Sequence, residues 1–265
     1  MTTQEKQMYQ QAALEIAAQA MKVMKQYYRL DYDIRIKKDD TPVTIADTEI
    51  NSMVIEQIKT RFPEHGVKGE EEVWQPDAAM IWSCDPIDGT SAYVVHLPTS
   101  MFSLALVEDG DPIVAVAANP WTADIYSAVK GGGSFRNNQP IGVSKRSWKE
   151  ARIGTSGTGS NARNEFQENI TAELTQDTFM NRFSGVVFQG CLIAEGSLDG
   201  RVFFYDGAHD IAAIKLLVEE AGGLVTDING AEQRYDIPIH GALVSNGSIH
   251  SNIQKVVARH ANSRD

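Results

Sequence analysis

The 265-residue sequence has only two cysteines, Cys84 and Cys191, and their spacing fits neither a disulfide framework nor a metal knuckle. A reduced, cytoplasmic protein is the expectation that follows. It has no run of about 18 apolar residues, so no membrane-spanning helix and no membrane partner are expected. Its first residues, MTTQEKQMYQQAALEIAAQ, lack the apolar core of a secretion signal. Positive charge is scarce: 24 Lys and Arg against 35 Asp and Glu leave a formal charge of −11. That argues against a nucleic-acid binder, which needs a basic face. It does not exclude a phosphorylated ligand, because divalent cations can stand between carboxylates and phosphate. Short repeats, low-complexity tracts and linker-like stretches are missing too. What remains is an ordinary globular composition, 42% hydrophobic and 22% charged, long enough for one large domain or two intimate lobes.

Apolar spacing predicts an amphipathic helix over 4–27, with Ala12, Ile16, Ala20 and Val23 on one face. The charged stretch 31–41 reads as an extended segment running into a polar loop at Lys37–Thr41. A second helix is expected over 45–61, with Ile50, Val54 and Ile58 aligned. From about residue 79, short apolar or alternating runs separated by turn residues predict a mostly antiparallel sheet. Residues 161–180 read as a polar helix, and FSGVVFQGCLIAEGSLDG mixes strand and helix signals. Residues 210–221 predict a helix with Ile211, Ile214, Leu217 and Val218 in one stripe, ended by Gly222-Gly223. Strands RVFFYDG, GLVTDING and GALVSNG complete the second half. The expected fold is mixed α+β / α/β: stacked helix and sheet layers around two sheets, with lobes 1–145 and 146–265.

Five acidic residues in four stretches attract attention. In WSCDPIDGT, Asp85 ends an apolar run, Pro86 fixes the backbone, and Asp88 follows. Two carboxylates and the Ile87 carbonyl between them suit a hard cation such as Mg²⁺ or Mn²⁺. Gly89, Thr90 and Ser91 then open a candidate helix whose free amides would suit phosphate. A plain Asp-Pro turn with an Asx-type cap explains the same residues. Glu70, in VKGEEEVW, is either part of a solvated face or a further ligand. Asp210 opens the 210–221 helix, so it is either a cap or a ligand pointing back into a cleft. Asp47, with Thr44, marks another helix start, and could instead orient the Thr90 hydroxyl.

Taken together, PVTIADTEIN, GEEE, WSCDPIDGT and HDIAAIKLLVEEAGG resemble, in order and spacing, the motifs of the inositol monophosphatase family, over about residues 5–255. The resemblance implies a Mg²⁺-dependent, Li⁺-sensitive phosphatase with a layered αβαβα sandwich of the sugar-phosphatase type, commonly a homodimer. It implies a first metal held by Glu70, Asp85 and the Ile87 carbonyl, and a second held by Asp85, Asp88 and Asp210. A weaker third ion often sits near the glutamate, and Mn²⁺ may substitute. Thr90 and Asp47, with Glu70, become the catalytic residues that ready the attacking water, and Gly89, Thr90 and Ser91 receive the phosphate. Lys37–Thr41 matches a loop that closes over the metals.

The sequence departs from the family pattern where substrates are chosen. His209 replaces the usual tryptophan before Asp210 and reads as a substrate contact, a partner of Asp210 or a packed neutral histidine. Asp206 is the nearest candidate for a substrate-contacting acid. Gln189-Gly190-Cys191-Leu192 stands where small residues are usual, with Gln189 a candidate contact and Glu195 unusual. The implied substrate is a small phosphorylated metabolite, with inositol 1-monophosphate as the default. Histidinol phosphate, fructose 1,6-bisphosphate and 3′-phosphoadenosine 5′-phosphate are alternatives, as is a non-catalytic regulatory homologue. A bisphosphate substrate would want an extra basic site, for which Lys37, Lys38, Arg152 and Arg201 are candidates, each explained equally well as a surface charge.

Overall fold

The first helix, α1 (Thr3–Tyr27), starts where Thr2 and Glu5 exchange caps: the Glu5 amide donates to Thr2 Oγ1 at 3.2 Å, and the Thr2 amide to Glu5 Oε2 at 2.7 Å. Its buried face is Ala12, Ala13, Ile16, Ala17, Ala20 and Met24, so Met24 takes the core position expected of Val23. Strands β1 (Arg35–Ile36) and β2 (Pro42–Val43) form a small antiparallel pair before α2 (Ile45–Arg61). Helix α2 buries Ile50, Val54 and Ile58 as their spacing predicts. The molecule is known from a computed structural model that describes residues 1–28, 34–36, 42–155, 165–176, 178–182, 184–204 and 207–261. The loop expected at Lys37–Thr41 lies outside these residues.

The first sheet is built from β3 (Gly66–Gly69), β4 (Val73–Trp74), β5 (Met80–Asp88), β6 (Met101–Glu108), β7 (Asp111–Asn119), β8 (Asp124–Val129), β9 (Gly133–Arg136) and β10 (Gln139–Pro140). A short helix, α3 (Thr90–Val94), interrupts it after β5. Spatial order is β10-β9-β8-β7-β6-β5-β3-β4, antiparallel except for the parallel β3–β5 pair. The second sheet has the order β12-β11-β13-β15-β14, from β11 (Arg152–Thr155), β12 (Phe179–Arg182), β13 (Gly200–Phe204), β14 (Leu224–Thr226) and β15 (Gly241–Ser245). Its helices are α4 (Glu165–Leu174), α5 (Val186–Ala194), α6 (Ala208–Glu220) and α7 (His250–Ala261).

Three apolar clusters bind five layers. Helices α1 and α2 cover one face of the first sheet through Ile16, Ile50, Ile58, Trp82 and Leu104. Helices α5 and α6 fill the space between the sheets, with Ile193, Ile214, Leu217, Phe203 and Val244 in one cluster. Helices α4 and α7 cover the far side of the second sheet through Ile170, Ile253, Ile153, Val202 and Leu243. The expected αβαβα sandwich is the observed one. Among the described residues no helix is long and apolar enough to cross a membrane.

Three segments differ from their sequence reading. The expected helix over 161–180 is α4 only to Leu174; Phe179–Arg182 is instead a strand parallel to β11. The mixed signal at 184–199 resolves as helix α5, because a helix buried between two sheets is apolar all round and loses its 3.6-residue signature. Helix α7 has no counterpart in the sequence reading; it buries Ile253, Val256 and Val257.

Candidate active site

Successive side chains on a strand alternate faces, so residues three apart should point opposite ways. Asp85 and Asp88 of β5 escape this rule through a bulge. Asp85 pairs with Ser103 and Asp88 with Met101, so three steps on β5 match two on β6. The extra residue turns both carboxylates to one side. The Ile87 amide donates to Asp85 Oδ1 at 3.0 Å, so the local Asx turn is present as well. Left-handed Gly89 (φ 74°) then starts α3, whose first internal bond is Ala92 N–H to the Gly89 carbonyl. The helix therefore makes no use of the amides of Gly89, Thr90 and Ser91.

Two helix starts deliver the other acids. Asp210 is the third residue of α6, not its cap, and Oδ2 accepts the Gly207 amide at 2.7 Å. One oxygen each from Asp85, Asp88 and Asp210 lies within 4.8 Å of the others. Asp47 is the third residue of α2: Oδ2 accepts from the Thr44 amide at 2.8 Å and the Thr44 hydroxyl at 2.6 Å. Its other oxygen, Oδ1, meets Thr90 Oγ1 at 3.3 Å. Capping and Thr90 orientation, alternatives in the sequence, are thus divided between the two oxygens of one carboxylate. Thr90 Oγ1 also lies 3.0 Å from the Ile87 carbonyl, a second acceptor for its single proton.

A helix start favours the carboxylate form, but here burial wins. It pushes Asp88 and Asp210 up to about 7, and Asp85 well above the usual carboxylate range. Neighbouring negative charges add to it, that of Glu70 first among them at Asp85. Burial also raises Asp47 to about 6, against the Thr44 hydrogen bonds that favour its ionised form. Glu70 itself is half-buried at the edge of the cluster, its amide bonded to the Cys84 carbonyl at 3.1 Å. The tight trio does not include it.

Several supporting residues were not singled out from the sequence. Asp88 Oδ1 and Oδ2 accept the Val186 and Val187 amides at 2.8 and 3.0 Å, so the start of α5 orients this carboxylate. Gly185, at φ 96°, must stay bare: an added Cβ would stand 2.8 Å from the Thr99 carbonyl and 3.2 Å from Asp88 Oδ2. Asn51, buried one helical turn after Asp47, accepts the Glu71 and Glu72 amides at 3.2 and 3.3 Å and so fixes the strand end that carries Glu70. Its position four residues after Asp47 was the available signal.

Other expectations change. The segment that reaches the acids is Gly185–Val187, not Gln189–Leu192. Gln189 is 0% exposed, and its Oε1 packs against Gly154 of β11. Glu195 ties α5 to the first sheet, accepting from Tyr126 Oη at 2.8 Å and Arg136 Nη1 at 2.9 Å. His209 is half-buried, folds over Gly207, and sets Nε2 3.4 Å from Asp210 Oδ2. Cys84 is a buried strand residue. Arg152 is exposed, but Arg201 is buried rather than a surface charge. Asp206, Lys37 and Lys38 lie outside the described residues.

The sequence model of the inositol monophosphatase family matches residues 5–264. A fructose-1,6-bisphosphatase/inositol-1-monophosphatase of Thermotoga maritima is 31% identical over 215 residues, 81% of this chain and 82% of that protein. A histidinol-phosphatase of Mycobacterium tuberculosis is 33% identical over 233 residues, 84% of this chain and 87% of its own. A solved inositol monophosphatase of Thermotoga maritima superposes with a TM-score of 0.85 at 27% identity, covering 95% of this chain and 97% of that one.

Proposed function

The chain belongs to the inositol monophosphatase family, and from that premise we propose that it is a Mg²⁺-dependent phosphatase of a small phosphorylated polyol, of the inositol-1-monophosphatase kind. As a member of the family it is a phosphomonoester hydrolase. The observation that carries the metal reading is the convergence of Asp85, Asp88 and Asp210, two buried carboxylates and a partly buried one that resist ionisation beside one another. A hard divalent cation is the partner that such oxygen donors fit.

Asp85, Asp88 and Asp210 would hold Mg²⁺ with the Ile87 carbonyl, Asp85 being shared between two ions and Glu70 completing the first. Mn²⁺ would substitute. Bound there, the cations supply Lewis acidity, neutralising phosphate oxygens and making water more acidic. The chain supplies the proton path. The Thr90 hydroxyl, within reach of Asp47 Oδ1 at 3.3 Å, would accept the proton of the attacking water on a lone pair as it passes its own single proton to Asp47. At a pKa of about 6, Asp47 is ionised and ready near neutral pH. Thr44 keeps Asp47 aimed by occupying Oδ2. The amides of Gly89, Thr90 and Ser91 would cradle the phosphate oxygens. No covalent intermediate is required, and neither cysteine takes part.

His209, partly exposed beside Asp210, is the substrate-side residue this reading favours. The reading extends to a homodimer in the cytoplasm: exposed Val95 and Leu97 after α3 offer apolar surface for a second copy, and the free thiols of Cys84 and Cys191 suit a reducing compartment. Inhibition by Li⁺ is expected with it. Phosphate release with Mg²⁺ is to be measured on inositol monophosphates, histidinol phosphate, fructose 1,6-bisphosphate and 3′-phosphoadenosine 5′-phosphate, ranked by kcat/KM. A higher kcat/KM on any other member of that panel would replace the polyol reading, and no turnover with either Mg²⁺ or Mn²⁺ would end it.

A further inference from the structure

Arg201 is a cation where the fold has little room for one. It is 4% exposed, on β13 of the second sheet. It shares a strand face with Phe203, and its guanidinium carbon lies 4.3 Å from the centre of that ring. Val202, between them, faces the opposite core. The guanidinium therefore points into the layer of α5 and α6, where Nη1 lies 3.5 Å from the Gly185 carbonyl. Gly185 is the residue from which α5 starts, and the next two amides hold Asp88. The positive charge also favours the ionised forms of Asp88 and Asp210.

We propose that Arg201 is a positioning residue for the Asp88 side of the site: through the Gly185 carbonyl it fixes the start of α5, and with it the Val186 and Val187 amides that hold Asp88. The proposal rests on the metal reading above for what finally occupies the site. A bound cation would pin Asp88, and through it those two amides, so the hold of Arg201 on the start of α5 matters most without one. The aim of Asp88 then depends on a residue in the opposite sheet, through α5.

Two full-length variants test this. Arg201→Met keeps the length and apolar stem but loses charge and donors; Arg201→Lys keeps the charge but not the planar fork. Thermal unfolding is followed in EDTA and in saturating Mg²⁺, and kcat and KM are measured on a phosphomonoester that the unaltered protein hydrolyses. For Arg201→Met, kcat falls about 10- to 100-fold while KM moves less than about threefold, the pattern of misplaced machinery rather than lost substrate binding. Its Tm falls further in EDTA than in Mg²⁺, widening the Mg²⁺-dependent gain by about 3 °C or more. Arg201→Lys restores Tm in EDTA and recovers kcat in part. Equal Tm losses in both media, an unchanged kcat, or a raised KM at full kcat would each overturn the proposal, the last by putting Arg201 on the substrate. If Arg201→Met fails to fold, Arg201→Lys decides: a kcat at least about fivefold low with Tm in EDTA retained supports the proposal, and any other result overturns it. If the unaltered protein turns over nothing, the functional reading falls, while the Tm comparison still judges Arg201.

Discussion

Asp47 and Asp210 hold the same place in two helices, the third residue, and each gives one oxygen to the amide of the residue before its helix. Locally the two starts are one device. What else surrounds the carboxylate differs. The other oxygen of Asp47 faces the Thr90 hydroxyl, and burial brings this acid to about 6. Asp210 stands with Asp85 and Asp88, one oxygen of each within 4.8 Å of the others, and burial among like charges brings it to about 7. A carboxylate beside a hydroxyl is suited to moving a proton; a carboxylate beside two others is suited to holding a cation. The proposed function assigns the same capping geometry two chemistries, chosen by neighbours far away in the chain.

The sharpest way to break this comparison is to remove one charge at a time while keeping both caps. An asparagine oxygen still accepts the capping amide, so Asp210→Asn should fold. We expect its kcat to drop by about 10³-fold or more, with most of the Mg²⁺-dependent gain in Tm lost. Asp88→Asn should lose as much kcat and some stability besides, because its amide nitrogen cannot accept the second of the Val186 and Val187 amides. Asp47→Asn should lose about 10²- to 10⁴-fold in kcat, the range of a lost general base, yet keep the Mg²⁺-dependent gain in Tm. If Asp47→Asn lost that gain too, the two helix starts would share one role and the division would be wrong.

The pH dependence sharpens the contrast. Raised folded-state pKa values mean that the trio's protonation stabilises the metal-free fold at low pH, and that this is lost as pH rises through about 7. Between pH 5.5 and 8.5 the loss is about 2 kcal/mol for each group titrating near 7. His65 and His250, whose pKa values burial lowers, act in the opposite sense below their ordinary range. The quantity to measure is therefore the difference between Tm in Mg²⁺ and in EDTA, where the histidines cancel. It should grow from pH 5.5 to 8.5, and remain flat in Asp210→Asn.

The smallest effect is expected at Thr44. Thr44→Val removes the hydroxyl that donates to Asp47 but keeps the amide, and should cost about 1 kcal/mol in denaturant unfolding. Its kcat should fall by less than about tenfold, since Asp47 keeps one anchor. Thr44→Ser should restore both values.

Asp47, Asp85, Asp88, Thr90 and Asp210 stood out in the sequence because each sits at a helix start or a strand end with a turn, and only the family resemblance joined them into one candidate site. Helices α1 and α2 were legible because each buries one stripe and exposes another; α6, buried from Ile211 to Val218, was legible from the acid that opens it and the glycines that follow it. Helix α5 was not, since sheets cover it on both sides and its sequence is apolar throughout. For the same reason Val186 and Val187, whose amides hold Asp88, were not singled out beside Gln189. Arg201 was left open between a basic phosphate site and a surface charge, because a strand's sequence does not say that both of its faces are covered.

The sequence by itself determined the acids, their spacing and a layering of helices on two sheets, because local backbone geometry and hydrophobic period are written in consecutive residues; the order of the layers came with the family resemblance. Only the tertiary structure decided that Asp85, Asp88 and Asp210 share one point while Asp47 stands apart with Thr90, and that a cation from the second sheet stands behind them. Contacts between residues a hundred positions apart follow from how the layers pack. Burial, which sets the pKa of each acid, exists only once they have packed.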